Sequence, residues 1–133
     1  MVDVSAFIKK WQGRTLEDDG CYVSKEFRSF QTAFGNAMKK IAQGIGAEVV
    51  NYSKGHYDVS GFIKRGDNYV YFSYDNGLSS KGRTYVSLKD NDNNGFMCPL
   101  LIRKAKDAKD YRGETNNYAA FDRCEILIDR LLN

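Results

Sequence analysis

The residues of this sequence best suited to bind a partner are tyrosines and basic side chains in two stretches. Residues 103–112 carry five bases against two acids, with Tyr111 inside the run and Tyr118 shortly after it. Tyrosine and arginine often anchor protein interfaces, whereas bases interleaved with aromatic rings also bind single-stranded nucleic acid. The predicted partner-binding residues are Lys64, Arg65, Tyr69, Tyr71, Arg103, Lys104, Lys106, Lys109, Tyr111 and Arg112.

The overall charge of the chain does not decide between these two kinds of partner. The formal net charge is +3, with 20 bases against 17 acids, and the acids are interleaved with the bases along the chain. Such a balance is too small to indicate a dedicated nucleic-acid binder, and many charge runs are only solvated surfaces. The mixed charge therefore argues equally for a protein partner.

The segment from Gly77 to Thr84 comes close to the loop that cradles phosphate groups in nucleotide-binding proteins. Arg83 stands where that loop needs its lysine. The residues that follow alternate like a strand, although the phosphate loop must lead into the N-terminus of a helix. A plain connection between two strands is the better interpretation.

Segment 90–95, DNDNNG, matches the first half of a calcium-binding loop. Leu101 occupies the position of the bidentate glutamate, and Pro99 and strand-like flanks replace the helices of that motif. Aspartate and asparagine also accumulate in ordinary turns, where their side chains bind the backbone. We expect a turn here, with no bound metal and no cofactor.

Two further motifs have structural explanations. Arg65-Gly66-Asp67 spells an adhesion tripeptide, but in a hairpin turn the glycine supplies a positive φ. His56 is the only histidine, and Asp58 shares its predicted strand face. A serine, cysteine or metal ligand at motif spacing is missing, so an Asp-assisted base has no partner in a catalytic constellation. We therefore expect no enzyme and no small-molecule substrate.

Length and composition indicate a small globular protein, and we expect a single α+β domain over residues 1–133. No run approaches the ~18 apolar residues of a membrane span, and the N-terminus lacks the apolar segment of a signal peptide. Cys21, Cys98 and Cys124 are odd in number and far apart, which favours free thiols in a reducing cytosol. We expect a cytoplasmic protein with no membrane partner.

The element that positions the hairpin tyrosines lies within residues 54–76. Two runs of β-branched and aromatic residues flank Gly66-Asp67, which suits a two-residue turn. Alternation then divides the side chains into two faces. The predicted core face holds Val59, Ile63, Val70, Phe72 and Tyr74; the other face holds Ser60, Phe62, Lys64, Tyr69, Tyr71 and Ser73. The second face is either covered by a helix, for which the C-terminal one is available, or is the binding surface.

The remaining elements follow from periodicity. Helices are predicted over residues 3–12, with Asp3 as N-cap, and over 24–45, with Ser24 as cap and close packing at Gly35. The predicted strands are 47–52, the two of the hairpin, 83–89 and 96–103, and residues 105–117 are predicted as a long loop. Tyr118, Phe121, Cys124, Leu127, Ile128, Leu131 and Leu132 predict a C-terminal amphipathic helix. The fold class is α+β, in the order ααβββββα, with an antiparallel sheet of about five strands.

Three blocks of sequence follow one another between about residues 25 and 120: FRSFQTAFGNAMKKIAQGIGAEVV, GHYDVSGFIKRGDNYVYFS and LLIRKAKDAKDYRGETNNY. In this order they resemble a family of small uncharacterised proteins carried by phages, plasmids and other mobile elements of Gram-positive bacteria. The segment DNDNNG looks like an insertion relative to that family. Some small proteins from such elements are anti-CRISPR inhibitors of Cas nucleases, and the resemblance implies this role here.

We therefore expect a counter-defence protein of a mobile genetic element, acting in the host bacterial cell. It would be a stoichiometric binder that inhibits a CRISPR effector nuclease such as Cas9, a role that surface tyrosine and arginine suit. The alternative is a nucleic-acid-binding accessory protein of a phage or plasmid. A third class, hydrolase or nuclease, would require a metal-dependent activity that is lost when His56 or Asp58 is replaced.

Overall fold

The computed structural model describes residues 1–17, 25–55, 58–75, 83–89 and 100–133. Several predictions concern residues outside these ranges. They are the helix cap Ser24, the phosphate-loop candidate 77–82, the calcium-loop candidate 90–95, and the residues His56, Cys21, Cys98 and Pro99.

The element order is helix, helix, strands and C-terminal helix, as predicted for an α+β fold. The elements are α1 (Ser5–Trp11), β1 (Thr15–Glu17), α2 (Lys25–Gly44), β2 (Glu48–Lys54), β3 (Asp58–Arg65), β4 (Asn68–Asp75), β5 (Arg83–Tyr85), β6 (Leu100–Ala105), β7 (Asn117–Ala119), a 3-10 turn (Phe121–Arg123) and α3 (Cys124–Leu131). Five of the strands form one antiparallel sheet in the order β2-β3-β4-β6-β7. The predicted fold class is therefore confirmed.

The β3–β4 hairpin has the predicted register at every pair, from Val59 opposite Tyr74 to Lys64 opposite Tyr69. Gly66 takes a φ of +62°, whereas the residue after it does not have a positive φ. A glycine with positive φ at the first of two turn residues is the pattern of a type II′ turn, whose twist matches that of the flanking strands. The turn thus fixes the register of β3 and β4, and this register decides which of their side chains lie on each face of the sheet.

The predicted strand 83–89 is wrong in extent, and it does not belong to the main sheet. Only Arg83–Tyr85 form a strand, and it pairs with β1 in a separate two-stranded ladder. Beyond the ladder, the backbone N–H groups of Leu88 and Lys89 donate to the side chain of Gln12. The alternating pattern of this segment reflects the burial of Val86 and Leu88 in the core and not a place in the main sheet.

The predicted start of the C-terminal helix is also wrong. Residues Asn117–Ala119 form the edge strand β7, which places Tyr118 opposite Leu101, and α3 begins only at Cys124. Tyr118 matches the helical spacing of the residues that follow, but its side chain is 65% exposed and takes no part in the core. The side chain of Asn117 also donates to the carbonyl of Ile102, which holds this segment against β6.

The core lies between one face of the sheet and the helices, with Phe34 of α2 at its centre. The Phe34 ring lies 5.2 Å from Tyr74 and 6.4 Å from Phe72 of the sheet, measured between centroids. It also lies 6.1 Å from Phe7 of α1 and 5.2 Å from Phe121, which belongs to the 3-10 turn that precedes α3 in sequence. The C-terminal helix therefore packs on the same side of the sheet as α2, and not on the opposite face.

Gly35 is a point of close packing, as predicted. A Cβ atom at this position would lie 2.6 Å from Cε2 of Tyr52, which is closer than any real contact. The hydroxyl of Tyr52 donates to the carbonyl of Gln31 on the same helix, at 2.6 Å. The missing side chain thus lets β2 approach α2 closely enough to form this hydrogen bond.

Candidate functional site

The face of the sheet turned away from α2 carries most of the predicted partner-binding residues, and we call it the outer face. Strand pairing and alternation arrange its side chains in lateral rows across the strands. The three rows are Glu48, Lys64, Tyr69 and Ala105; Val50, Phe62, Tyr71 and Arg103; and Ser53, Ser60, Ser73, Leu101 and Tyr118. A row of aromatic and basic side chains therefore lies beside a row of small serines.

The outer face is partly covered by a loop and not by a helix. The loop spans residues 106–116 and places the ring of Tyr111 5.3 Å from Phe62 and 5.8 Å from Tyr71, both edge-on. Phe62 is completely buried as a result, although it points away from the main core. Tyr111 itself remains 57% exposed. The loop thus holds the exposed ring of Tyr111 against the rings of Phe62 and Tyr71.

Arg103 on β6 is the main support of this loop. Its guanidinium donates to the carbonyl of Tyr111 at 2.7 Å and to Oδ1 of Asn116 at 2.6 Å. It also lies 5.7 Å from the ring of Tyr71. A planar guanidinium can bind two acceptors while it faces an aromatic ring. Arg103 therefore fixes the middle of the loop and its C-terminal end to the sheet.

Side chains within and beside the loop supply further supports. Asp110 accepts hydrogen bonds from the backbone N–H groups of Lys106 and Gly113, at 3.0 and 3.1 Å. Asn51, which has a φ of +53°, donates to the carbonyl of Ala108 across the sheet. Backbone groups that pair with side chains in this way are held in one conformation without helix or strand. The loop is consequently preorganised.

The support from Asp110 is expected to fail in acid. The backbone hydrogen bond from Lys106, followed by that from Gly113, lowers the pKa of Asp110 below its ordinary 3.8. A carboxyl with a lowered pKa stabilises the folded loop fully above the ordinary value and loses this effect as the pH falls through the lowered one. The protection of the Lys106 and Gly113 amides against hydrogen exchange, measured relative to the intrinsic exchange rate at each pH from pH 6 downward, should fall below about pH 3.8.

The variant Asp110→Asn is the matched control for this titration, since its side chain cannot ionise. It should show faster exchange at both amides already at neutral pH, without the acid transition. The emission of Trp11 in the core reports any global unfolding on the same samples. Identical acid transitions at the two amides in the variant and in the original protein would contradict the role of Asp110.

The structure brings together eight of the ten predicted partner-binding residues. Tyr71, Tyr111 and Arg103 form one cluster, as described above. Lys64 and Tyr69 lie in the adjacent row, with the lysine Nζ 5.7 Å from the tyrosine ring. The exposed side chains of the loop complete the set; these are Lys106, Lys109 and Arg112.

Arg65 and Lys104 are the two predicted residues that do not belong to the outer face. Arg65 points towards the helices, where its guanidinium donates to the carbonyl of Ile45 at 2.9 Å and to the side chain and carbonyl of Asp129. Its side chain is 24% exposed. Lys104 lies opposite Val70 in the ladder and therefore also faces away from Tyr71. Arg65 connects the hairpin to the ends of α2 and α3.

Sequence reasoning missed how the outer face extends beyond the hairpin. Tyr118 was predicted to flank the charge run and to begin the C-terminal helix, and Leu101 was considered only as a position of the calcium loop. Both reach this face because β7 pairs with β6, and no local pattern in TNNYA predicts a strand of three residues. Ser60 and Ser73 were predicted on this face, whereas Ser53 joins their row through the pairing of β2 with β3, which was not predicted.

The outer face carries charges of both signs. Its exposed bases lie on the loop, and the half-buried Lys64 and Arg103 lie in the first two rows. The acids Asp107, Glu114 and Glu48 are exposed near them. Asp58 and Asp75 face each other at the far end of the hairpin, as predicted. A surface of this kind creates no single-sign field of the strength that attracts a phosphate backbone.

Cys124 is buried, and desolvation raises the pKa of its thiol to about 12, so it is not a reactive thiolate. Within the described ranges, no three His, Cys, Asp or Glu side chains are grouped so that they could hold a metal ion. The same part of the chain contains no helix with the length and apolar character to cross a membrane.

Comparison with known proteins adds no assignment to this surface. No protein-family model matches the chain, and neither a curated protein nor a solved structure is significantly similar to it. The function therefore has to be inferred from the residues of the chain itself, foremost those of the outer face.

Proposed function

We propose that this chain is a stoichiometric binding protein that docks on a partner protein through its outer face. In the biological form of the proposal it is a counter-defence protein of a phage, plasmid or other mobile element. It acts in the cytoplasm of the bacterial host, where it inhibits a CRISPR effector nuclease such as Cas9. The docking role is supported by the outer face, and the biological role by the sequence resemblance described above.

The observation that carries the proposal is the exposed tyrosine on a rigid support. Tyr111 keeps more than half of its surface exposed while Phe62, Tyr71 and Arg103 hold it in place. Interfaces concentrate binding energy in a few tyrosine, tryptophan and arginine residues, and preorganised residues lose little entropy on binding. Tyr118, at 65% exposure, adds a second anchor on the same face.

The chemistry of the face suits a protein partner. An aromatic centre surrounded by charges of both signs is typical of a protein interface, which has an apolar core and a polar rim. Docking needs no catalytic group, and we assign none to this chain. A protein that acts by occupying a surface must be present in amounts comparable to its target, which makes inhibition stoichiometric.

A capture experiment tests the partner class. The tagged protein is incubated with lysate of a Gram-positive host that carries a CRISPR system, with and without nuclease treatment. We expect a CRISPR effector to be captured in both conditions by the original protein, and not by the variant Tyr111→Ala/Tyr118→Ala. Ile126→Ala is the matched control because Ile126 is 61% exposed on α3, away from the outer face. Capture of nucleic acid alone would contradict the proposal.

The second candidate is a nucleic-acid-binding accessory protein, and the stacking geometry of the outer face favours it. Sheets that present aromatic and basic side chains bind single-stranded nucleic acid by stacking bases on the rings. Tyr69 with Lys64, and Tyr71 with Arg103, have this arrangement. This candidate predicts binding of single-stranded DNA or RNA that weakens with salt and with the variants Tyr69→Ala and Tyr71→Ala. Lys104→Ala should have little effect, since Lys104 is on the other face.

A further inference from the structure

A groove lies between α1 and α2, on the helical side of the molecule and away from the outer face. Its volume is about 240 Å³, and its apolar lining includes Val4, Phe7 and Trp11. At about 30 Å³ for each water, the groove has room for roughly eight waters, or one large apolar side chain. The three apolar side chains belong to α1 or to the residue before it, and α2 forms the opposite wall.

The rim of the groove is basic. Lys10 of α1 and Lys40 of α2 line it, together with Asn36, and both lysines are exposed. Asp3 also lines it, with a carboxylate that accepts the backbone N–H of Ser5 at 2.9 Å, so the rim carries two positive charges and one negative charge. Two further exposed lysines, at positions 9 and 39, precede the rim lysines in sequence without lining the groove. The helical side therefore concentrates positive charge around an apolar cleft.

We propose that this groove binds an acidic peptide segment of a partner protein, with one apolar side chain seated between α1 and α2. Carboxylates on either side of that apolar residue would pair with Lys10 and Lys40. The site is independent of the docking surface proposed above, because it uses other elements and the other side of the sheet.

The apolar lining distinguishes a peptide from a nucleic acid as the occupant. A phosphate backbone would need only the lysines and would leave the half-exposed apolar surface of Val4 and Phe7 uncovered. Peptide segments recognised in grooves combine an apolar anchor with charges that fix their register. The combination of lining and rim therefore matches an acidic peptide better than a polyanion.

Trp11 provides an internal reporter for the test. It is the single tryptophan of the chain, and Lys10 and Arg14 lie 5.3 and 4.7 Å from its ring. The probe is a short acetylated peptide with Leu-Phe at its centre and Asp and Glu on both sides. Its addition should change the Trp11 emission saturably. A peptide of equal charge with Gly-Ser in place of Leu-Phe should bind at least about tenfold more weakly.

Two double variants with the same loss of charge locate the site. Lys10→Ala/Lys40→Ala should raise the Kd of the Leu-Phe peptide by about tenfold or more, because it removes both rim charges. Lys9→Ala/Lys39→Ala should change it by less than about threefold, since these lysines act only at a distance. All four substitutions are on exposed helix positions, and circular dichroism checks that both variants remain folded.

Three outcomes would overturn the proposal. The first is no saturable change of Trp11 emission with the Leu-Phe peptide. The second is equal weakening of peptide binding by the two double variants, which would indicate a diffuse basic surface. The third is tighter binding of a thymidine oligonucleotide than of the peptide, weakened equally by both double variants, which would assign the helical side to nucleic acid.

Discussion

Replacing Phe34 with alanine is expected to lower the free energy of unfolding by about 3–5 kcal/mol. Phe34 is completely buried, and its ring contacts Phe30, Phe72, Tyr74 and other aromatic rings from α1, the sheet and the segment before α3. Truncation would leave a cavity that three different elements line. The cavity cannot collapse without moving all three, so the cost should lie in the upper part of the range for buried aromatic residues.

Thermal unfolding followed by circular dichroism, together with urea titration, measures this effect. For a chain of this length the expected loss corresponds to a fall in Tm of roughly 10–20 °C. Ile126→Ala is the control, since a substitution at an exposed helix position should change the free energy by no more than about 0.5 kcal/mol. A loss below about 1 kcal/mol for Phe34→Ala would contradict the description of a single core centred on this ring.

Replacing Arg103 with alanine is expected to release the loop 106–116 while leaving the core folded. The substitution removes the hydrogen bonds to Tyr111 and Asn116 and the contact with the Tyr71 ring. Hydrogen bonds from a charged donor stabilise by about 1.5–3 kcal/mol each, so amides of the loop should exchange at least about tenfold faster. Affinity for the protein partner should fall by about thirtyfold or more, because Tyr111 loses its fixed position.

Two further variants show whether Arg103 acts through its directed hydrogen bonds or only through its positive charge. Arg103→Lys keeps the charge but cannot form the same two directed bonds, so it should behave nearly like the alanine variant. Arg112→Ala removes an exposed base of the same loop and should leave loop exchange unchanged. If Arg103→Lys restored both exchange and affinity, the role of Arg103 would be electrostatic and not positional.

The sequence was sufficient to predict those parts of the fold that depend on local patterns. The β3–β4 hairpin was predicted to the residue because strict alternation flanks a turn that Gly66 and Asp67 favour. Helix α2 was predicted within a residue of each end, since its apolar positions recur at helical spacing. In these elements the local preference and the tertiary packing agree.

The candidate site was predictable only in part, because non-local contacts build it. The order of the loop depends on Arg103, Asn51 and Asp110, whose hydrogen bonds to the loop follow no periodicity. Arg65 adjoins an exposed turn, yet it bonds Asp129, which lies 64 residues away in sequence. Tyr118 has helical spacing but lies in a strand because β6 offers an edge for pairing.

The proposed inhibition is measured by a titration of nuclease activity. Purified protein is mixed with a fixed amount of an assembled CRISPR effector such as Cas9, and cleavage of target DNA is measured. We expect cleavage to be lost near an equimolar ratio. Tyr111→Ala/Tyr118→Ala should abolish this inhibition, and Ile126→Ala should preserve it. Undiminished cleavage by every effector tested, or equal inhibition by the double tyrosine variant, would contradict the proposed function.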